Sequence, residues 1–276
     1  MQPVLTLVPL GGLANRLRAI VSGVALARQT QRRLQIVWYK DSGLNCRFDQ
    51  LFRPLVQANI RLKEATVTDR LLYDRPRCRN AYLPAIFQRM LFDGCLHDPA
   101  RALLPDSRFD FVQWVGQHPR AYVATCYPFF SADPTLYEQL FVPNSTVESL
   151  IRTFTERFSA HTVGVHIRRT DNVMSIARSP LSLFIQEMEK EVEARPDTLF
   201  FVASDSEQDK RALKERFGTR ILTSSQPADR NSLQGMQEGA ADFFTLSRTD
   251  KIIGSCYSSF SEISARIRQI PYHSTQ

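Results

Sequence analysis

The stretch TVGVHIRRTDN, residues 162–172, is a short apolar strand that ends in two arginines and an aspartate. Side chains alternate between the two faces of a strand, so Gly164, His166 and Arg168 share one face and the valines and isoleucine share the other. His166 and Arg168 therefore point together at the end of the strand. Arg169 is expected to face the other side, towards a carboxylate or the far side of the sheet.

Strand and helix patterns alternate on the carboxyl-terminal side of this stretch. Predicted helices cover residues 179–194, 206–218, 239–249 and 258–270, and predicted strands cover residues 199–205, 220–223 and 250–255. Ser179 is the expected N-cap of the first of these helices, and Gly218 is expected to end the second. This βα alternation predicts a Rossmann-like parallel sheet, in which ligands bind outside the carboxyl ends of the strands.

The amino-terminal part begins with a similar pattern. A strand at residues 4–8, the segment GGLANRL at 11–17, an amphipathic helix and a strand at 34–39 follow one another. Residues 69–110 have no clean periodicity and are interpreted as short helices and loops. Ser145 and Glu148 have capping-box spacing at the start of a further helix. A domain boundary is placed there, giving domains of 1–145 and 146–276, with one continuous sheet as the alternative.

Composition limits the classes of function. Lysine and arginine total 35 against 28 acidic residues, a formal net charge of +7. This suits a phosphorylated substrate, nucleic acid or an anionic membrane, but the chain has no run of five basic residues, which argues against generic nucleic-acid binding. The five cysteines are widely spaced without a CxxC pair, which predicts neither a disulfide framework nor a zinc site. No secretory signal or bilayer-length apolar stretch is evident, so a cytoplasmic protein is expected.

Two further strand ends carry groups suited to an anion. Gly11 and Gly12 precede a helix, where glycines allow a ligand to approach the backbone and the helix amino terminus favours negative charge. A tight βα turn explains the same glycines equally well. The segment GSCYSSFSE, residues 254–262, places several serines at another helix start, where N-capping explains only one of them. Asp-x-Asp and HExxH are absent from the sequence, so any diphosphate has to be held without a recognisable metal motif.

The segment HIRRTDNV, residues 166–173, closely resembles the His-x-Arg-Arg-Thr-Asp signature of α1,6-fucosyltransferases and related GT-B fucosyltransferases. The strand–Asp–helix unit at 200–218 and the block at 231–262 are similar to the next segments of that family, in the same order. GGLANRL resembles a glycine-rich segment near the start of several fucosyltransferase groups. The likeness covers about 160–265 well. It implies an α/β, GT-B-like fold in which two Rossmann-like domains face each other across a cleft.

The resemblance also implies an activity and a donor site. The activity is inverting, metal-independent transfer of fucose from GDP-fucose, with no cofactor. His166 and Asp242 would hold the guanine or its ribose. Arg168 would neutralise the β-phosphate, with Ser258 and Ser259 beside it. The second domain would bind this donor and the first would lie on the acceptor side.

Three more residues belong to the implied donor site with less defined roles. Asn15 and Gly12 would lie near the diphosphate or the sugar. Asp205 ends a strand in the same crevice and is either a donor contact or a structural residue. For Asp242 the competing interpretation is that it caps the start of its own helix.

One departure from the family concerns the acceptor base. The α1,6 enzymes have a lysine directly after the signature and a glutamate a few residues on, and here those places hold Asn172 and Ile176. Asp171 is the nearest carboxylate and is the second catalytic candidate beside Arg168. The alternative is that Asp171 only pairs with Arg169. This departure favours a bacterial polysaccharide or glycolipid acceptor over an N-glycan.

Three other functions remain open at this point. The vacant glutamate position favours a non-catalytic module that binds a nucleotide or an anionic sugar. A transferase that uses another GDP-sugar is equally consistent with the motifs. RNA binding rests only on the basic charge. The partners expected for the leading hypothesis are a GDP-sugar donor, a glycan or glycolipid acceptor and no nucleic acid, with peripheral membrane association left open.

Overall fold

The computed structural model of the chain describes residues 2–72, 82–98, 100–103, 108–169, 173–224, 229 and 231–276. The chain divides into two compact units, Met1–Asp49 with Arg53–Val142 and Gln50–Phe52 with Pro143–Gln276. The sequence-based boundary at 145 differs from this division by three residues and does not separate the short segment at 50–52. That segment joins the second unit because the Phe52 ring packs edge-on against Phe244, with ring centroids 6.0 Å apart.

The first unit is built on a parallel five-stranded sheet. Its strands are β1 (Val4–Pro9), β2 (Arg33–Trp38), β3 (Ile60–Glu64), β4 (Gly94–His97) and β5 (Arg120–Thr125). Its helices are α1 (Leu13–Gln29), α2 (Val67–Leu72), α3 (Tyr82–Leu91), α4 (Phe111–Gln117) and α5 (Thr135–Leu140). The strand order is β3-β2-β1-β5-β4, so the chain changes direction across the sheet between β1 and β5.

The second unit repeats this architecture. Its strands are β6 (Thr162–Ile167), β7 (Leu199–Ser204), β8 (Ile221–Leu222), β9 (Lys251–Ser255) and β10 (Tyr272–Thr275). Its helices are α6 (Ser145–Thr155), α7 (Val173–Arg178), α8 (Leu181–Ala194), α9 (Glu207–Phe217), α10 (Leu233–Leu246) and α11 (Ser259–Arg268). The order β10-β9-β6-β7-β8, all parallel, places the change of direction between β6 and β9. Two parallel-sheet α/β units were predicted, and this prediction is confirmed.

The two faces of β6 are covered by different helices. Val163, Val165 and Ile167 lie in one core cluster with Phe184 and Met188 of α8. All five side chains are fully buried. The alternation expected for residues 162–168 is therefore present, and the apolar set is directed to the α8 side.

On the opposite face the strand needs a glycine. A Cβ on Gly164 would lie 2.8 Å from the Thr249 hydroxyl and 2.9 Å from a Leu246 methyl carbon. These residues end α10 and lead into β9, so the absence of a side chain at Gly164 lets that turn lie directly on β6. The same face carries His166 at the end of the strand.

Three predicted helix starts differ from the structure. Helix α10 begins at Leu233, well before the predicted start at 239. Helix α6 is capped by Asn144, whose side chain accepts a bond from the Val147 amide, and not by a Ser145 capping box. Pro180 occupies the N-cap position of α8. The Ser179 hydroxyl instead forms hydrogen bonds with the Cys256 amide and the Thr275 carbonyl inside the second unit. Helix α9 ends at Gly218 as predicted.

The segments without clear periodicity contain more regular structure than expected. Strand β4 and helices α2, α3 and α4 lie within or next to residues 69–110, and β3 and β10 were not predicted. The missed strands have four or five residues and are edge strands, where few residues show a burial pattern. Among the described residues, no helix combines the length and the apolar character needed to cross a membrane.

A buried arginine fixes the turn between β1 and α1. Arg16 has no exposed surface, and its guanidinium donates to the Gly11 carbonyl at 2.8 Å, to the Tyr39 carbonyl, and to the Asp41 carboxylate at 2.7 Å. The guanidinium also lies over the Trp38 ring, 4.8 Å from its centroid. Loss of the guanidinium would leave these acceptors without the donor that pairs them.

Replacing Arg16 by methionine should lower the free energy of unfolding by about 3 kcal/mol, because it removes a buried guanidinium that bonds a carboxylate and two carbonyls. Urea denaturation measures the effect. The matched control is Arg28→Met on the exposed side of the same helix, where the described side-chain bond of the arginine is to Gln57 and a change within about 0.5 kcal/mol is expected. Equal destabilisation by both variants would contradict the role given to Arg16.

Candidate functional site

In the second unit β6 and β9 are neighbours at the change of direction of the sheet, where a crevice is expected beyond the carboxyl ends of the strands. The two strands pair in register from Val163 with Lys251 to His166 with Gly254. Beyond that point the Ser255 hydroxyl accepts a bond from the Arg168 amide at 3.0 Å. Parallel strands that diverge at a change of direction leave a concave edge, the usual ligand position in such sheets.

His166 lies at this edge as a buried, neutral imidazole. Its side chain packs face to face with the Phe260 ring of α11, with centroids 4.7 Å apart and planes at 23°. Nδ1 is 3.5 Å from the Ser258 hydroxyl. Burial lowers the pKa of His166 to about 3, the positive charge of Arg168 acts in the same direction, and Asp205 opposes both. At neutral pH the ring therefore offers one N–H donor and one acceptor nitrogen.

The consecutive arginines have different surroundings. Arg169 donates from its backbone amide to Asp205 at 2.7 Å, from Nε to Asp209 at 2.6 Å and from Nη1 to the Ser179 carbonyl at 2.9 Å. The expectation that Arg169 faces a carboxylate on the side away from His166 is confirmed, and that carboxylate is Asp209. Nε of Arg168 is 3.7 Å from the other oxygen of Asp205, and the Arg168 side chain keeps 21% of its surface exposed.

The start of α11 forms one wall of the crevice. Ser258 is the N-cap residue, yet its hydroxyl makes no capping bond and approaches His166 instead. Ser259 is the first residue of this ten-residue helix. The free amides of a helix amino terminus together with the Ser258 hydroxyl suit a phosphate group.

Asp242 lies in the third turn of α10, far from the helix start, which Ser232 caps. It therefore does not cap its own helix. Burial raises the pKa of the Asp242 carboxyl to about 7, Glu238 adds to the shift and Lys210 opposes it. No hydrogen bond to this carboxyl is present within the described part of the chain. The neighbouring Phe243 ring touches Phe260, the residue stacked on His166.

The predicted glycine loop lies in the first unit, at the carboxyl end of β1. Gly11 has φ +78°, a backbone conformation that side chains disfavour, and a Cβ there would lie 3.0 Å from Asn15 Nδ2. Gly12 is the N-cap residue of α1 and provides no side-chain cap. The Oδ1 atom of Asn15 is buried and has no hydrogen-bond partner among the described residues. This loop therefore offers a helix amino terminus and an amide oxygen that is ready to accept a bond.

The structure brings together His166, Arg168, Asp205 and Ser258 of the predicted site, with Ser259 adjacent in the chain. Asp242 is linked to them through the packing of Phe243 on Phe260, without a polar contact to them among the described residues. Asp171 lies outside the described residues. Within the described ranges, no three His, Cys, Asp or Glu side chains converge on a common point that could hold a metal ion.

Three residues of this edge were not identified from the sequence. Ser255 supports Arg168 through the bond described above. Ser179 is fully buried, accepts from the Cys256 amide at 3.0 Å and donates to the Thr275 carbonyl at 2.7 Å. Phe260 supplies the ring under His166. The serine-rich segment 254–262 signalled Ser255 only as one hydroxyl among several, and no pattern pointed to Phe260.

The raised pKa of Asp242 makes stability depend on pH. A carboxyl whose pKa is higher in the folded protein stabilises the fold at pH below about 4, and this contribution is lost as the pH rises towards 7. Asp242→Asn should therefore gain stability relative to the wild type between pH 4 and 8, by roughly 1–2 kcal/mol, because part of the carboxyl is exposed. Urea melts across this range measure it, with Glu215→Gln at an exposed position of α9 as the control. A pH-independent difference would refute the buried-carboxyl interpretation.

The sequence matches no protein-family model and no curated protein. Solved structures do share its fold. NodZ α1,6-fucosyltransferase soaked with GDP-fucose has a TM-score of 0.66 at 16% identity, over 97% of this chain and 93% of that chain. A mutant of FUT1 from Arabidopsis thaliana in complex with GDP has a TM-score of 0.66 at 15% identity, over 99% and 70%. POFUT1 in complex with GDP has a TM-score of 0.60 at 14% identity, over 99% of both chains.

These structural neighbours are fucosyltransferases, and they cover nearly the whole of this chain. The two parallel-sheet α/β units described above therefore have the fold of the GT-B fucosyltransferases.

Proposed function

We propose that the chain is an inverting, metal-independent glycosyltransferase that moves fucose from GDP-fucose to a hydroxyl of a glycan or glycolipid. The observation that carries this proposal is the crevice between β6 and β9, where a partly exposed arginine lies beside a buried imidazole and a helix amino terminus. Structures with the same fold were solved with GDP or GDP-fucose bound. Donor binding is assigned to 146–276 and the acceptor side to 1–145, in a cytoplasmic protein that needs no metal.

The diphosphate of the donor would lie against Arg168 and the start of α11. When the bond between the anomeric carbon and the β-phosphate oxygen breaks, negative charge grows on the departing GDP. A guanidinium and the amides at Ser258 and Ser259 stabilise this charge without rearranging. Asp205 and Ser255 position Arg168: the first lies 3.7 Å from its Nε and the second holds its amide.

The nucleoside would be recognised by His166 and Asp242. The N1–H and N2–H edge of guanine can donate two parallel bonds to one carboxylate, and Asp242 has a carboxyl in a dehydrated position with no hydrogen bond from the described residues. Formation of these bonds favours the ionised carboxylate and offsets the cost of its burial. The neutral imidazole of His166 can bond a ribose hydroxyl or the base.

The acceptor would be deprotonated by a carboxylate as its oxygen attacks the anomeric carbon. Helix α7 follows the arginines and contains no acidic residue, and Ile176 occupies the place of the glutamate found in the α1,6 enzymes. Asp171 is the proposed base because it is the nearest acid in the sequence. Gly12 and Asn15 are proposed to contact the diphosphate or the sugar.

Two alternatives share this crevice. A transferase that uses another GDP-sugar would need the same phosphate and guanine contacts. A non-catalytic module that binds a nucleotide or an anionic sugar is favoured by one observation, the absence of an acid in α7. Both differ from the leading proposal in their behaviour towards GDP-fucose.

Incubation with GDP-fucose in the presence of EDTA tests the proposal. The chain should release fucose slowly in water and GDP should accumulate, because the groups that stabilise the departing diphosphate act without a metal. Chromatography of the nucleotides measures the reaction. GDP binding without any release would support the non-catalytic module, and turnover that requires added Mg²⁺ would contradict metal independence. GDP-mannose, supplied in parallel, tests the choice of sugar.

The two arginines should respond differently to replacement by lysine. Arg168→Lys should leave the unfolding midpoint nearly unchanged and lower kcat by more than tenfold, since lysine lacks the planar fork that bonds two phosphate oxygens. Arg169→Lys should lower the free energy of unfolding by about 2 kcal/mol, because it breaks contacts to Asp209 and Ser179. Steady-state kinetics and urea melts on both variants measure these effects. Wild-type turnover in Arg168→Lys would rule out its proposed role.

A further inference from the structure

We infer that a patch of α7 and the β9–α11 turn, formed by Met174, Arg178 and Tyr257, binds an acidic saccharide as the acceptor. This inference rests on the proposed transferase function and names the class of its acceptor. The patch adjoins the donor crevice, since Tyr257 directly precedes Ser258, whose hydroxyl lies 3.5 Å from His166.

Tyr257 is held in an unfavourable backbone conformation and is exposed. Its φ is +55°, in the left-handed region that bulky residues avoid. Its side chain nevertheless remains 61% exposed. Glycine would adopt this conformation with less strain than tyrosine does. Unfavourable backbone conformations that persist are concentrated at binding sites.

Arg178 lies against this tyrosine. Its Nη1 donates to the Tyr257 hydroxyl at 3.2 Å, and its guanidinium carbon is 5.7 Å from the ring centroid. Both side chains are exposed, and no carboxylate of the described residues pairs with this arginine. A guanidinium beside an exposed tyrosine is a suitable pair for a ring that carries a carboxylate.

Two buried hydrogen bonds of Ser179 hold the backbone next to Arg178 and Tyr257 in place. The Ser179 hydroxyl accepts from the Cys256 amide and donates to the Thr275 carbonyl, and both Ser179 and Cys256 are buried. Arg178 and Tyr257 are the immediate chain neighbours of these two residues. The end of α7 and the β9–α11 turn are therefore joined, and the surface pair is arranged before any ligand arrives, which reduces the entropy lost on binding.

Met174 extends the patch along α7. It lies one helical turn before Arg178, on the same side of the helix, and is 53% exposed. The patch therefore presents an apolar side chain, a cation and an aromatic ring in sequence. A pyranose has an apolar C–H face that packs on an aromatic ring, and a uronic acid adds the anion that Arg178 lacks. These features favour a saccharide that contains a uronic acid over a neutral glycan.

The test is a binding comparison on the full chain with GDP present. The probes are a disaccharide that ends in glucuronate and the methyl ester of the same disaccharide, and Kd is measured by calorimetry. The glucuronate should bind at least tenfold more tightly than the ester, and Arg178→Gln should remove this difference. The matched control, Arg195→Gln at an exposed position after α8, should retain it.

A second variant distinguishes a role of the Tyr257 ring in saccharide binding from a role in stability. Tyr257→Gly should weaken both probes by severalfold and leave the affinity for GDP unchanged, while its melting temperature stays equal or rises because the φ strain is removed. Equal binding of acid and ester by the wild type, or no binding of either at millimolar concentration, would overturn the inference. Binding of anionic phospholipid vesicles through Met174 and Arg178 instead would assign the patch to a lipid surface and overturn it too. Failure of GDP to bind would contradict the proposed function itself, independently of the result with the two saccharide probes.

Discussion

The separation of β6 from β9 determines how the second unit can function. Pairing between these strands stops at His166 and Gly254, and the Ser255 hydroxyl then takes over the role of a backbone partner for Arg168. Where the connections of two neighbouring parallel strands run to opposite faces of the sheet, a crevice forms beyond the carboxyl ends of those strands. Of the polar groups assigned to the donor, His166 and Arg168 lie on this edge and Ser258 and Ser259 lie at the start of α11, whereas Asp242 lies on α10 and Asn15 in the first unit.

Two adjacent arginines at this edge illustrate what the sequence reveals. Their opposite orientations follow from the two-residue period of a strand, a local property, so they were predictable. The partners of Arg169 were not, because Asp209 lies 40 positions away in sequence. The same limit applies to helix starts: Ser179 has the right chemistry for a cap, but contacts from Cys256 and Thr275 compete for its hydroxyl.

The candidate site was predictable where chemistry and strand ends coincide. His166, Arg168 and Ser258 satisfy this condition, and the structure places them together. The environment of Asp242 is different, because burial and Lys210, which is distant in the sequence, act on its pKa, and no local pattern contains either of them. Phe260 shows the same problem for an apolar residue: its position under an imidazole depends on how α11 packs. The short edge strands β3, β4 and β10 were missed because four or five residues barely reveal a period.

Arg16 has a consequence for the order in which the first unit forms. Its partners lie 5, 23 and 25 positions away, so the turn at Gly11 is complete only after β2 has joined β1 and the residues beyond β2 have arrived. The glycine turn is formed by residues that are close in sequence, but its stability depends on residues that are distant in sequence. Closing the loop between Arg16 and its partners Tyr39 and Asp41 costs chain entropy, and the hydrogen bonds of the guanidinium offset this cost only once they have formed. Local opening beyond β2 would therefore release the turn at the start of α1 as well, which couples the mobility of two segments that are distant in the chain.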